Sequence, residues 1–288
     1  MPSADIVMIT FRRPQYVRLS LSALLDRCPP DSRVWVWHNG DHRETLDVVE
    51  SFRDHPRFFR FHHSAQNVGL HDPINWLWNE AEGDFLSKVD DDSVLEAGWV
   101  ERLSGALEAY PGFGVLGSWR FLDEDYRDDL ARRKMATYNG HTIMRNHWVQ
   151  GSGFLFRREI LDAAAGVQRG AKVGTLGPDE TFTRWCLRVA KAGYVNGWPF
   201  PFVHEDHMDD PRSPNTMYTD DETFRALRPL SAYATGVDTV EAWLEQTRRD
   251  AIDVQSASLD LNRYFGWRFR RKNVVRRIRR ALTGKAPW

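Results

Sequence analysis

A doubly wound, mostly parallel α/β domain with a helical C-terminal extension is what this sequence predicts, and three observations predict it. Between residues 5 and 118, short apolar or alternating runs recur, each followed by a stretch with helical spacing. Consecutive parallel strands need a crossover helix, so this alternation implies a parallel sheet with helices on both faces. From Thr219 onward the strand signature disappears and helical spacing alone remains. At 288 residues the chain is long enough to bury a full core.

The first strand is the apolar run Ile6 to Ile9, ending at Thr10, with a helix through Val17, Leu21, Leu24 and Leu25. Arg33 to Asn39 alternates with period two and stops at Gly40-Asp41; a helix follows from about Arg43 to Arg53. Phe58 to His63 is the third strand, followed by the loop SAQNVGLHDP and a helix through Ile74, Trp76, Leu77 and Trp78. The fourth, FLSKVDDDSV, delivers three consecutive carboxylates, Asp90, Asp91 and Asp92, and passes through Ser93 into a helix from about Ala97 to Tyr110. Adjacent carboxylates repel and are costly to bury, so such a triplet belongs to a turn, a surface or a cation. In doubly wound sheets, ligands bind beyond the carboxyl ends of the strands. Thr10, Asn39, Asp41, Asn67 and Asp90 to Asp92 are therefore expected around one crevice.

Further along, PGFGVLGSWRF reads as a strand, and LDEDYRDDLARRKMATYNGHT as a polar loop that either closes over a substrate or is a surface excursion. WVQGSGFLFRREIL gives a glycine-rich break, a strand and a helix. In GPDETFTRWCLRVAKAGY, Asp179 and Glu180 occupy the first turn of a helix that buries Phe182, Trp185, Cys186 and Val189. Acidic residues suit a helix start whatever the function. After the strand Tyr194 to Trp198, PFVHEDHMDDPRSPNT is dense in His and Asp. The expected division is a catalytic domain at 1–215 with halves 1–118 and 119–215, a helical extension at 216–262, and a basic tail at 263–288.

Composition narrows the class. Aromatics at 12% with 27% charged residues indicate a folded chain rather than a disordered one. The two cysteines, Cys28 and Cys186, lack metal-type spacing and fit a reducing compartment. No run approaches a membrane span, so a cytoplasmic protein is expected. The net charge of −1 conceals an asymmetry: ten Lys and Arg and no acidic residue lie from Arg263 onward, which leaves the rest at −11. The tail places Val274, Val275, Ile278 and Leu282 on one helical face among arginines, suited to an anionic membrane surface or to the chain's own acidic body. The acidic body argues against nucleic acid as a partner.

The order of segments resembles family 2 glycosyltransferases of the GT-A fold. ITFRRP is similar to that family's opening strand and T-Y-N-R-P loop through Thr10, Phe11, Arg13 and Pro14; NVGLHDPIN to its N-x-G stretch with a later Asn, here Asn67, Gly69 and Asn75. VDDDS sits where the family has its D-x-D motif, and Arg188, Ala192, Gly193 and Tyr194 match its R-x-x-x-A-G-Y pattern. Where the family's second strand ends in an acidic residue before Asn, this chain has His38-Asn39-Gly40-Asp41, which leaves the nucleotide base open.

The resemblance implies a metal-dependent, inverting transfer of a sugar from a UDP- or GDP-sugar to a hydroxyl of a glycan, lipid-linked or small-molecule acceptor. It makes Asp92 the ligand of a Mn²⁺ or Mg²⁺ ion, with Asp90 and Asp91 on the ribose or sugar, Asp90 also a candidate ligand, and His204 a third ligand. His207 is the alternative to His204, and a separate zinc site of the two histidines with Asp206 or Asp209 is a further reading. Thr10 and Arg13 would hold base, ribose or phosphate; Gly153, in the turn Gly151-Ser152-Gly153, would lie near the donor sugar. The general base would be Glu180 or Asp179. Two rivals remain: a nucleotidyltransferase that makes the sugar nucleotide, disfavoured because TFRRP is not a glycine-rich activating loop, and a non-catalytic carbohydrate- or partner-binding module.

Overall fold

The computed structural model describes residues 3–162, 173–177, 180–230 and 236–265. The N-terminal half is a regular alternation: β1 (Ala4–Thr10), α1 (Pro14–Arg27), β2 (Arg33–Asn39), α2 (Arg43–Glu50), β3 (Phe58–Ser64), α3 (His71–Glu80) and β4 (Phe85–Asp90). These four strands lie in the order β3-β2-β1-β4, all parallel, so their carboxyl ends open on one edge. Along β1 the side chains divide by period two. Val7 and Ile9 join one apolar cluster with Leu77 and Trp78 of α3, while Ile6 and Met8 join the other with Leu21 and Leu24 of α1. Burial on both faces is why β1 is a continuous apolar run rather than an alternating one.

Beyond β4 the helix expected from Ala97 begins later. The chain turns at Asp91-Asp92, forms the short strand β5 (Ser93–Leu95), and enters α4 (Trp99–Ala109) through Gly98, whose φ of 76° suits glycine. β6 (Phe113–Gly117) follows. The polar stretch expected as a loop is instead ordered as a helical turn, α5 (Asp128–Ala131), and the hairpin β7 (Met135–Tyr138) and β8 (His141–Asn146) at the sheet edge. Asn139 and Gly140 turn this hairpin at φ 47° and 86°, the positive values that two-residue hairpin turns demand. β9 (Phe154–Arg157), α6 (Glu159–Asp162), α7 (Phe182–Lys191), β10 (Val195–Phe200) and β11 (Glu205–His207) complete the body, with α8 (Asp221–Leu227), α9 (Val240–Ser256) and α10 (Asn262–Phe265) after it.

The central sheet continues β4-β9-β6-β10-β8-β7, with β9 antiparallel to both neighbours, so its second half is mixed while the first is purely parallel. A separate pair, β5 with β11, is antiparallel and carries the chain across the open edge. Helix α9 fastens to the second half: Gln255 Nε2 donates to the Asp125 carbonyl at 2.9 Å, and Lys134 Nζ to that of Val254 at 2.7 Å. Among the described residues no helix is long and apolar enough to cross a membrane. The amphipathic helix expected in the basic tail falls at 266–288, outside the described residues.

Candidate active site

Strand β4 carries Lys88, 2% exposed, just before the acidic triplet. A lysine in an otherwise apolar strand needs a partner. It pairs with Asp90, and its Nζ also donates to the Gly151 carbonyl at 2.8 Å. Asp90 is thereby tied beneath the site, not grouped with the other two carboxylates. Asp91 and Asp92, each 6% exposed, turn the other way and meet Arg13. One Arg13 nitrogen, Nη2, donates to Asp91 at 3.1 Å and to Asp92 at 3.0 Å; the other, Nη1, donates to Asp209 at 3.1 Å. Arg13 reaches them because the loop from β1 to α1 turns through two non-glycine residues at positive φ, Arg12 at 54° and Arg13 at 51°. Such backbone costs roughly 1–3 kcal/mol and persists only where surrounding contacts hold it. Here the Phe11 N–H donates to Asp91 Oδ2 at 2.8 Å and holds the turn.

His204, expected as the third ligand, does not join this group. Strand parity gives the reason: on β11, Glu205 and His207 share one face, and residues one step away point oppositely. His204 is exposed, whereas His207 Nδ1 is buried 3.7 Å from Asp92 Oδ1 and has no hydrogen-bond partner. Asp92, His207 and Asp209 place one ligand atom each within 4.8 Å of one another. Asp209 is already engaged on both oxygens, by Arg13 and by the Tyr218 hydroxyl at 2.6 Å on one and by Arg228 at 3.1 Å on the other. Glu205, on the same face of β11, accepts from Ser93 at 2.6 Å and from Ser118.

The balance of these charges tests whether a cation fits. Among the described residues, five carboxylates, Asp90, Asp91, Asp92, Glu205 and Asp209, face three fixed cations, Lys88, Arg13 and Arg228, in a region nearly closed to water. Two negative charges are in excess if every group is ionised. Burial pushes the Asp91 carboxyl well above its ordinary range although Arg13 pulls it down, and the charge of Asp92 adds to the rise. Asp92 moves the other way: burial opposes ionisation, but Arg13 and then His207 hold its carboxyl below the ordinary range. The excess charge, the imidazole nitrogen without a partner and the oxygen-rich donor set all fit a hard divalent ion.

The other expected contacts are divided. Thr10 is fully buried and its hydroxyl bonds to His38 Nδ1 at 2.9 Å, so its side chain faces the neighbouring strand. Asn39, 2% exposed, is a brace: Nδ2 donates to the Gly69 carbonyl at 3.0 Å, and Oδ1 accepts from Val68 N–H and from Trp37 Nε1. Asp41 and Asn67 are exposed beyond the strands, and Asn67 Oδ1 accepts from Gly69 N–H at 2.9 Å in a local turn. Asn75 clamps Leu176 through both backbone groups, at 3.0 Å each. Gly153 has φ 60°, and a Cβ there would stand 2.1 Å from Ser118 Oγ and 2.7 Å from Glu205 Oε2. The close approach this glycine permits is thus to Ser118 and Glu205.

Glu180 precedes α7 and does not lie in its first turn; the N-cap is Thr181, whose hydroxyl accepts from Arg184 N–H. Both Glu180 oxygens are occupied. Arg188 donates through Nε at 2.9 Å and Nη2 at 2.7 Å, and Gly177 N–H at 2.9 Å. Asp179 lies outside the described residues. Lys88 was legible as a lone charge in an apolar strand, and Asp209 as a ligand type in the stretch dense in His and Asp, but Tyr218 and Arg228 gave no local signal, since their roles depend on the extension folding back across the site.

Comparison with known proteins places the fold. The sequence model of Glycosyl transferase family 2 matches residues 5–164, more than half of the chain. An uncharacterized glycosyltransferase of Haemophilus influenzae is 19% identical over 118 residues, 41% of this chain and 36% of that protein, so the match spans about a third of the relative's length. The mannosyltransferase PcManGT from Pyrobaculum calidifontis, solved with GDP-Man and Mn²⁺, superimposes with a TM-score of 0.58 at 15% identity, over 99% of this chain and 88% of that one. TarS 1–349 of S. aureus in complex with UDP-GlcNAc gives 0.54 at 13% identity, over 91% of this chain and 75% of that one. These two likenesses are of fold. The chain belongs to glycosyl transferase family 2 and adopts the GT-A fold.

Proposed function

We propose that this chain transfers a sugar from a nucleotide diphosphate donor to an acceptor hydroxyl, with inversion at the anomeric carbon. The observation that carries the reading is the carboxylate cluster at the end of β4, in which the described carboxylates outnumber the described cations by two and His207 Nδ1 has no hydrogen-bond partner. Asp92 and His207 would hold a divalent ion, Mn²⁺ or Mg²⁺, which would neutralise the charge developing on the departing diphosphate. The PcManGT complex with GDP-Man and Mn²⁺ supports this by analogy.

The chain's own groups supply the rest. Arg13 spends its guanidinium on Asp91, Asp92 and Asp209 and so fixes these carboxylates where the diphosphate would arrive. Asp91 holds the Phe11 N–H and so sets the path of the loop that would flank base and ribose. An acceptor hydroxyl attacking the anomeric carbon directly must lose its proton to a base on the side away from the leaving group. Asp179 suits that role better than Glu180, because Glu180 spends both oxygens on Arg188 and Gly177. Donors are of the UDP- or GDP-sugar type, as in the TarS and PcManGT complexes. The tail, if it meets anionic lipid, would bring this site to a membrane surface.

Incubating the chain with UDP- and GDP-sugars, with Mn²⁺ or with a chelator, tests the reading. Nucleotide diphosphate released only with the ion is expected. Equal release under chelator removes the ion from the reaction. Pyrophosphate released from a nucleoside triphosphate makes the chain a nucleotidyltransferase, and no turnover of any donor leaves a binding module.

A further inference from the structure

A groove of about 330 Å³ opens beside the carboxylate cluster, at the small end of the ~300–1,000 Å³ range of ligand sites. One wall is the segment between β8 and β9, with Trp148, Gln150 and Gly151; the opposite wall is α9, with Asp250, Asp253 and Val254. Thr183, in the first turn of α7, and Arg120 close its ends. Two links join the groove to the site already described. The carbonyl of Gly151 accepts from Lys88, which pairs with Asp90, and Arg120 Nη1 stands 3.5 Å from His207 Nε2. On the other side, Thr183 belongs to the helix that begins directly after Glu180. The groove therefore runs from the cluster that would hold the donor to the helix that follows both base candidates.

We infer that this groove is the acceptor subsite, that it takes a neutral saccharide ring, and that α9 of the C-terminal extension selects the acceptor. The inference rests on the transfer reading above. A sugar ring is amphipathic, with a C–H face and a rim of hydroxyls, and the lining is divided in the same way. Trp148 supplies the aromatic surface and is held edge-on by Tyr264 of α10 with ring centres 5.3 Å apart. Gln150 supplies an oriented donor: its Oε1 accepts from Trp198 Nε1 at 2.7 Å, which fixes the amide, and its Nε2 is buried without a partner. Arg120 Nε is likewise buried and unpartnered. Buried donors left without acceptors cost free energy that a hydroxylated ligand would recover. Asp250 stands 3.7 Å from Arg120, and Asp253 is exposed on the same helix. One guanidinium against two carboxylates leaves the lining negative, which repels phosphate or uronate groups. The two α9 carboxylates come from the extension and the Tyr264 support from α10 at its end, so this region, and not the strand ends, distinguishes one acceptor from another.

Ligand-observed NMR on the full chain tests this with methyl glucoside, methyl mannoside, methyl galactoside and methyl N-acetylglucosaminide as neutral probes and glucuronate as the anionic one. At least one neutral glycoside should bind, and Trp148→Ala and Asp253→Lys should each weaken it about tenfold or more. Asp253→Lys sits at an exposed helix position, so its folding is not at issue. UDP and GDP affinities, measured by calorimetry, should stay the same in both variants. The groove assignment is overturned by glycoside binding undiminished in Asp253→Lys, by no glycoside binding at millimolar concentration, or by glucuronate binding the more tightly. A wild-type chain that binds glycosides but no nucleotide diphosphate overturns the transfer reading instead.

Discussion

Asp92 and Glu180 are both acidic residues at the open edge of the sheet, and the chain uses them in opposite ways. Asp92 meets a guanidinium from a loop 79 positions earlier and an imidazole from β11, in a cluster where the described carboxylates outnumber the described cations. Glu180 meets Arg188 eight positions later, on the next turns of its own segment, and its oxygens are saturated. The difference separates a binding group from a clamp. A carboxylate in an unbalanced cluster has something left to bind, whereas one held bidentate by an arginine spends its charge on holding α7 against the loop at 173–177.

The largest effect tests the unbalanced member. Asp92→Asn should lower turnover at least ~10³-fold, about 4 kcal/mol of transition-state stabilisation, and abolish the rise in melting temperature that Mn²⁺ produces. Without metal the variant should also melt below wild type, because it loses the buried pair with Arg13 that holds the Asp92 carboxyl below its ordinary range. A variant that melts lower yet keeps its Mn²⁺ response would make Asp92 a structural partner of Arg13 and erase the contrast.

The clamp should behave in reverse. Glu180→Gln breaks a bidentate charged pair and should cost about 1–3 kcal/mol of stability by denaturant titration. Asp179→Asn, by comparison, should reduce kcat by about 10²–10⁴ and leave stability alone. Stability lost in Asp179→Asn with kcat lost in Glu180→Gln returns the base role to Glu180.

A fourth substitution attacks the support of the first site. Gly153→Ala forces a Cβ into Ser118 and Glu205 at positive φ, and should destabilise by about 2–5 kcal/mol. Because Glu205 and His207 share a face of β11, Mn²⁺ affinity should fall with it. Loss of stability at unchanged Mn²⁺ affinity would show that β11 does not transmit the strain.

How much of this was legible follows the range of the contacts. The strands of the parallel half were readable because each is apolar on both faces or alternates along its length, and β2 falls at Arg33–Asn39 as its pattern predicts. The β7–β8 hairpin was missed although Asn139-Gly140 signals it, because its strands are short and half-exposed and lack an apolar period. At the site, the Asp triplet was visible as a local anomaly. The choice of His207 over His204 was not, because it depends on the register of β11 against β5, and a one-residue shift moves every side chain to the other face. Asn39 and Asn75 were expected at a ligand and serve the backbone, a use that motif position alone does not distinguish.

The smallest effect concerns a group on the Asp92 side that the motif comparison passed over. His38 ends β2, fully buried, with Nδ1 on the Thr10 hydroxyl at 2.9 Å. Burial, and then the nearby charges of His63 and His42, push its imidazole down to about 4. In the unfolded chain the same ring titrates near ~6.5, so between these values unfolding takes up a proton that folding excludes. The stability is complete above pH 6.5 and is lost as pH falls toward 4, by up to about 3 kcal/mol. Carboxylates titrate at the acid end of that window, so the readout is a difference: His38→Gln keeps a hydrogen-bonding group for Thr10 and should flatten the dependence between pH 6.5 and 5. Equal slopes in wild type and variant would place the acid sensitivity in the Arg13 carboxylate cluster, whose pairs are buried charges on the same side of the molecule.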